Sequence, residues 1–184
     1  MTFHNFLLAT GSTPLPGAPL AAQESSSIQI LSTWELMDLG PRDSHVVLFD
    51  EGGGRGGLSA IDAVLEENRV TIISSDFAVG ELVNPNIRTP LHKRFLSNRV
   101  EFRPAETLLR LDTGHVVTRN IYSGEEHRID NVDILVDWRG NSVRNELQRT
   151  LEARSTPVIA IGDCVAPRHL HTAIAEGAMA AREL

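Results

Sequence analysis

A chain of 184 residues is long enough for one sizeable domain, or for a small domain and part of another. Its hydrophobic share of 41% and charged share of 22% belong to a globular protein rather than a disordered one. The formal charge of −7 speaks against a nucleic-acid or anionic-membrane surface, and the single Cys164 excludes an internal disulfide or a four-cysteine zinc or iron–sulfur site.

Taken in order, Phe6-Leu7-Leu8-Ala9-Thr10-Gly11 reads as a short buried strand entering a glycine turn. Residues 12–27, with Pro14, Pro16, Gly17, Pro19 and three consecutive serines, read as a linker. A compact helix follows over 33–39. Val46-Val47-Leu48-Phe49 is a continuous apolar run, the pattern of a strand covered on both faces. A glycine loop at 52–57 leads to a helical stripe at Leu58, Ile61, Ala63, Val64 and Leu65, then to a second buried strand over 70–73. Strand, glycine turn, helix and strand within about thirty residues make a βαβ unit with a right-handed crossover.

A helix is expected over 90–97 and a short strand over 100–102. The apolar period then shifts towards two, predicting antiparallel strands at 108–111, 115–119 and 127–129, with turns at Asp112-Thr113-Gly114 and Ser123-Gly124. Another buried strand covers 134–136, a helix 143–153, a strand 157–161 and a last helix 171–183. The fold class is therefore α/β: an open, Rossmann-like parallel sheet with an inserted antiparallel β-meander, then a closing strand and helix. No apolar run approaches the roughly 20 residues of a spanning helix, and the first eight residues lack the basic region of a secretory signal. The expectation is a cytoplasmic protein.

Gly52-x-Gly54-x-x-Gly57 has dinucleotide spacing between a predicted strand and a predicted helix. Such glycines serve a tight turn, close backbone approach to pyrophosphate, and helix–strand packing. Amides at the start of the helix would face the phosphate oxygens, and Asp76 stands where a ribose partner is expected. Asp50 and Glu51 intrude before Gly52, and a carboxylate beside a pyrophosphate costs about 1 kcal/mol in water at ~4 Å, more in a buried cleft. Two readings stand: a loop that holds NAD(P) or ADP, and a flexible turn whose nucleotide site is empty.

Several segments carry a family resemblance. These are Leu48-Phe49-Asp50-Glu51 before the glycines, Gly57-Leu58-Ser59-Ala60 after them, and Gly80-Glu81-Leu82-Val83. Near the end come Ile161-Gly162-Asp163-Cys164-Val165-Ala166-Pro167-Arg168 and Ala173-Ile174-x-Glu176-Gly177. The chain resembles the glutathione-reductase-type flavoproteins with two dinucleotide-binding domains, where an Ala-Thr-Gly strand leaves the FAD domain and a Gly-Asp motif marks re-entry. It is closer to the C-terminal region of the family of trimethylamine dehydrogenase, 2,4-dienoyl-CoA reductase and the N-methylproline and dimethylglycine demethylases.

The resemblance implies a partial FAD/ADP-binding domain from 1–27 and 154–184, lacking its first βαβ unit, around an NAD(P)-binding-like domain at 28–153. It implies that Gly11, Gly162 and Asp163 belong to the FAD or ADP site, with Asp163 accepting from a ribityl or ribose hydroxyl. Read from the residues alone, Asp163 is first a helix cap, satisfying the free N–H groups of the segment that follows, with the ligand role as the rival. The resemblance further places substrate chemistry in an FMN barrel with an iron–sulfur cluster, supplied by the rest of the parent protein or by another subunit. This chain is then a nucleotide-binding portion of an NADH:flavin oxidoreductase, incomplete as a catalyst, with FAD in the parent. The alternative is a non-catalytic scaffold with an empty site.

Cys164 reads as a small buried residue. Arg88, His92, Lys93 and Arg94 read as a solvated helix face, with contact to a 2′-phosphate as the rival. Arg168 suits either a phosphate or the surface, and Trp34 and Trp138 are assigned to packing. His169 and His171 lack further metal ligands. With the neighbours of two parallel strands missing, an apolar patch or a homodimer is expected at that end.

Overall fold

The computed structural model describes residues 6–15 and 27–183. Its elements, in chain order, are β1 (Phe6–Leu8), β2 (Ser12–Pro14), β3 (Gln29–Leu31), α1 (Thr33–Leu39), β4 (His45–Asp50), α2 (Arg55–Val64) and β5 (Arg69–Ser74). There follow α3 (Pro85–Ser97), β6 (Glu101–Pro104), β7 (Glu106–Asp112), β8 (His115–Asn120), β9 (Glu126–Asp130) and β10 (Ile134–Trp138). The last elements are β11 (Asn141–Val143), α4 (Glu146–Glu152), β12 (Val158–Ala160) and α5 (Leu170–Glu183). They form two compact units, Met1–Leu15 with Asn141–Leu184 (unit 1) and Pro16–Gly140 (unit 2). The sequence reading divides at 27/28 and 153/154; here β11 and α4 group with unit 1.

Unit 2 is built on a five-stranded parallel sheet ordered β3-β10-β4-β5-β6. Every residue of β4 is buried, because both faces of the sheet are covered. Val46 and Leu48 point into a cluster with Leu36, Leu58, Ile61, Phe95 and Val136, on the side of α1, α2 and α3. Val47 and Phe49 point the other way, into a cluster with Leu111, Val116, Ile129 and Leu135. That second face is closed by the antiparallel meander β7-β8-β9, where a doubly wound fold would place helices.

Local chemistry sets the element ends. Ser32 and Glu35 form a capping box on α1, with Ser32 Oγ accepting from Glu35 N at 3.2 Å and Glu35 Oε2 accepting from Ser32 N at 2.7 Å. The helix expected to begin at Pro90 begins instead at Pro85, after the cap Asn84, and Pro90 lies inside it. Both prolines look like helix starts, but only Pro85 follows a side chain that accepts from an amide of the first turn, Asn86 N at 2.9 Å. Ala63, placed in the buried stripe of α2 by its spacing, is exposed; Gly57 and Ala60 share the buried face instead.

Unit 1 holds two small sheets. β1 and β12 pair in parallel, Phe6 with Val158 through Leu8 with Ala160. β2 and β11 pair antiparallel, Ser12 with Val143 through Pro14 with Asn141. This corrects two expectations. Residues 12–14 are a strand rather than linker, because Thr13 and Ser142 join through their hydroxyls at 3.2 Å and the ladder absorbs Pro14 at its end. Residues 141–143 are its partner, so the helix expected from Val143 starts only at Glu146. The remaining linker residues, 16–26, lie outside the described residues.

Candidate functional site

Gly11, Gly162 and Asp163, far apart in sequence, come together in unit 1. With Ala9, Arg168 and Ala173 they line a pocket of about 360 Å³. Gly11 follows β1 with φ +75°, and Gly162 follows β12 with φ +70°. Only glycine holds such a turn without strain. A Cβ on Gly11 would meet nothing within 4 Å, so its bare backbone borders open space.

Asp163 sits in a 3-10 turn, Gly162–Cys164. Its Oδ2 accepts from Ser12 Oγ at 3.2 Å and its Oδ1 from Arg168 N at 3.2 Å. Ser12 Oγ also accepts from Asn141 Nδ2 at 3.1 Å, and the buried Oδ1 of Asn141 has no partner. Asp163 therefore ties the turn to the loop before α5, while a carboxylate retains lone pairs for a ligand hydroxyl. Arg168 pairs with Glu176, whose Oε2 accepts from Gly162 N at 2.7 Å. Cys164 is buried, its thiol 3.0 Å from Ile161 O, in keeping with a packing role. The Asp163 carboxylate, Arg168 and the Gly11 and Gly162 backbones on this pocket fit a hydroxyl-bearing, anionic ligand such as a nucleotide.

The second group, Gly52, Gly54, Gly57 and Asp76, gathers at the carboxyl ends of β4 and β5 in unit 2. Gly57 lies inside the first turn of α2 rather than in the loop. Asp76, after β5, brings a carboxylate oxygen to 2.8 Å from where a Cβ on Gly53 would stand, so it packs against the glycine loop. Asp50 is fully buried under that loop. Its Oδ1 accepts from Gly53 N at 3.0 Å, and its Oδ2 has no partner. Burial pushes the carboxyl up to about 7; the nearby Asp76 adds to the rise, and the Gly53 and Gly52 amides oppose it.

Glu51 is neutralised differently, by Arg139 Nη1 at 3.2 Å. The same guanidinium bonds Asp137 at 2.9 Å and lies over the Phe49 ring. The side chain that sequence reasoning left out of this site is Trp138. Ile134, Val136 and Trp138 alternate onto the helix face of the sheet, and that period was the available signal. Register then places Trp138 beside Asp50, and its indole packs against the glycines.

The basic stretch on α3 is engaged within unit 2: His92 bonds Val79 O at 3.0 Å, Arg88 reaches Glu81 O at 3.3 Å, and Arg94 pairs with Asp62 at 2.9 Å. The His169 and His171 rings stack at 5.4 Å, and among the described residues no group of three or more His, Cys, Asp or Glu could hold a metal. No helix of the described residues is long and apolar enough to cross a membrane.

This architecture is a Rossmann-like α/β fold, shared with solved oxidoreductase structures. The solved structures it is similar to include histamine dehydrogenase from Rhizobium sp. 4-9, at a TM-score of 0.85 and 21% identity over 99% of this chain and 31% of that one. They also include 6-hydroxypseudooxynicotine amine oxidase from Pseudomonas geniculata N1, at 0.81 and 16% identity over 95% of this chain and 28% of that one. A third is thioredoxin reductase from T. acidophilum, at 0.65 and 16% identity over 93% of this chain and 61% of that one. The chain thus spans under a third of the two amine-acting enzymes. No protein-family model and no curated protein matches it.

Proposed function

We propose that this chain is the nucleotide-binding portion of an NADH:flavin oxidoreductase of dehydrogenase or demethylase type. It holds an ADP-containing nucleotide, ADP itself or the ADP half of FAD, in the unit 1 pocket. The observation that carries this reading is the convergence of Gly11, Gly162 and Asp163 on one cavity of about 360 Å³, within the size range of cofactor sites. There Asp163 takes ligand hydroxyls, the two glycines let the ligand approach main chain, and Arg168 adds positive charge for a phosphate. A flavin held there supplies the redox chemistry, and the protein contributes position and charge. Substrate conversion belongs to an FMN barrel in the rest of the parent or in a partner subunit.

A thermal-shift panel with ADP, FAD, NADH and NADPH tests this. At about 100 times its dissociation constant a ligand adds about 2.7 kcal/mol of stability. ADP should shift the wild-type chain, and Asp163→Ala and Arg168→Ala should remove the shift. No response to any of the four ligands would replace this reading with that of a non-catalytic scaffold. The observation favouring the scaffold is the buried Asp50 beneath the glycine loop.

A further inference from the structure

In an open parallel sheet, ligands enter at the carboxyl ends of the strands, where the strand order reverses. In unit 2 that point lies between β4 and β10, since β4 leads through α2 to β5 on its other side. Trp138 ends β10 at this point, opposite Asp50 in register. A Cβ on Gly52 would stand 2.5 Å from the indole Nε1, one on Gly56 2.2 Å from Cζ2, and one on Gly57 2.9 Å from Cδ1. The indole therefore runs along the loop and the first turn of α2, and three glycines give it room.

Gly54 differs. A Cβ there would meet only Gly52 O, at 3.6 Å. α2 starts without a side-chain cap or an acidic residue in its first turn, so the amide donors that suit a phosphate are retained. Two buried polar atoms at this corner, Trp138 Nε1 and Asp50 Oδ2, have no partner. Ordinary core packing leaves few such atoms, and a corner with two of them bears the mark of a ligand site.

We propose that Trp138 is the built-in occupant of the dinucleotide crevice of unit 2: its indole excludes nicotinamide dinucleotides, and truncating it admits them. Trp138 is thus the residue that decides whether this crevice takes a pyridine dinucleotide. The inference concerns unit 2 alone and does not depend on the reading of the unit 1 pocket.

The test uses the full chain labelled with ¹⁵N, titrated to millimolar NADH and NADPH, with the amides of residues 52–58 followed by two-dimensional NMR. These amides report on unit 2, so a nucleotide taken up by unit 1 alone, or by neither unit, is read separately. They should show no saturable shift in the wild type. In Trp138→Ala, and in Trp138→Leu, which keeps more of the apolar contact, they should move saturably, with affinity at least about tenfold higher. In a Trp34→Phe background Trp138 is the single tryptophan, and its emission wavelength should not respond to NAD⁺ or NADP⁺. Saturable movement of these amides or of that emission in chains that retain Trp138 overturns the proposal. So does either truncated variant that folds and still leaves the amides unmoved.

Discussion

Replacing Asp50 with asparagine should stabilise the chain above neutral pH and do little at mildly acidic pH. The buried carboxyl titrates near 7 rather than at its ordinary 3.8, first because burial removes its hydration and then because Asp76 faces it. In the unfolded chain it ionises near the ordinary value. Between the two pH values the unfolded chain therefore binds fewer protons than the folded one, and stability falls as pH rises. The stabilisation from the protonated group is complete below the unfolded value and is lost as pH passes through 7. At about 1.4 kcal/mol per unit, the whole span amounts to roughly 4 kcal/mol, of which about 2–3 falls between pH 5 and pH 8.

The substituted amide side chain would stay neutral and keep a carbonyl to accept from Gly53 N, at the cost of about 1 kcal/mol for an unpartnered amide hydrogen. Urea melts of wild type and Asp50→Asn at pH 5 and pH 8 give the comparison. Burial also holds His45 and His92 below their ordinary values, but both are present in both proteins and cancel in the difference. Parallel pH profiles for the two proteins, or a variant less stable than wild type at pH 8, would refute the reasoning.

Four further outcomes rest on the packing and on exposed apolar surface. Gly56→Ala should destabilise by about 1–3 kcal/mol although alanine favours helix, because its Cβ would drive into the Trp138 ring. Gly54→Ala should change the unfolding free energy from urea melts by no more than about 0.5 kcal/mol, and a stabilising Gly56→Ala would disprove the contact. Glu106 is buried between Thr118 Oγ1 at 2.5 Å and His127 Nδ1 at 2.9 Å, so Glu106→Gln, judged by the same melts, should cost about 1–3 kcal/mol. At the unit 1 end, Phe6 is 42%, Leu170 78% and Ile174 64% exposed, and among the described residues β1 and β12 each pair with only one strand. Sedimentation should show self-association of the isolated chain, weakened by Ile174→Glu; a monomer at every concentration would dispose of it.

Strands β4, β5 and β10 of unit 2 were legible because their apolar runs are covered on both faces, and the meander because its period is two. α1 was found to the residue, and the structure adds the capping box of Ser32 and Glu35 at its start. The strands that escaped notice, β2, β3 and β11, have three residues each and carry no periodic signal. They exist through pairing with distant partners, and a window along the chain does not see those partners. The meeting of Gly11 with Gly162 and Asp163 was legible only through family resemblance, because no local pattern links positions so far apart. In unit 2 the motif spacing located the right loop, yet it was silent about what faces that loop. Trp138 lies more than eighty residues downstream and arrives there through the register of β10 on β4.

That contrast bears on how a glycine pattern is to be read. Pyrophosphate needs bare backbone beside open space, and the backbone at Gly11 meets that condition. The glycines at 52, 56 and 57 are equally bare, but an indole already stands against them, within 2.9 Å of where each Cβ would be. A motif defined by missing side chains has the same spelling in both cases, since making room for a ligand and making room for a neighbouring ring impose the same steric demand. The electrostatics then separate them. A carboxylate under the loop burdens an incoming dianion, whereas burial, with Asp76 nearby, pushes Asp50 up to about 7, and a neutral ring beside it adds no charge to the corner. The buried acid and the buried ring therefore belong to one arrangement at the same corner of the sheet.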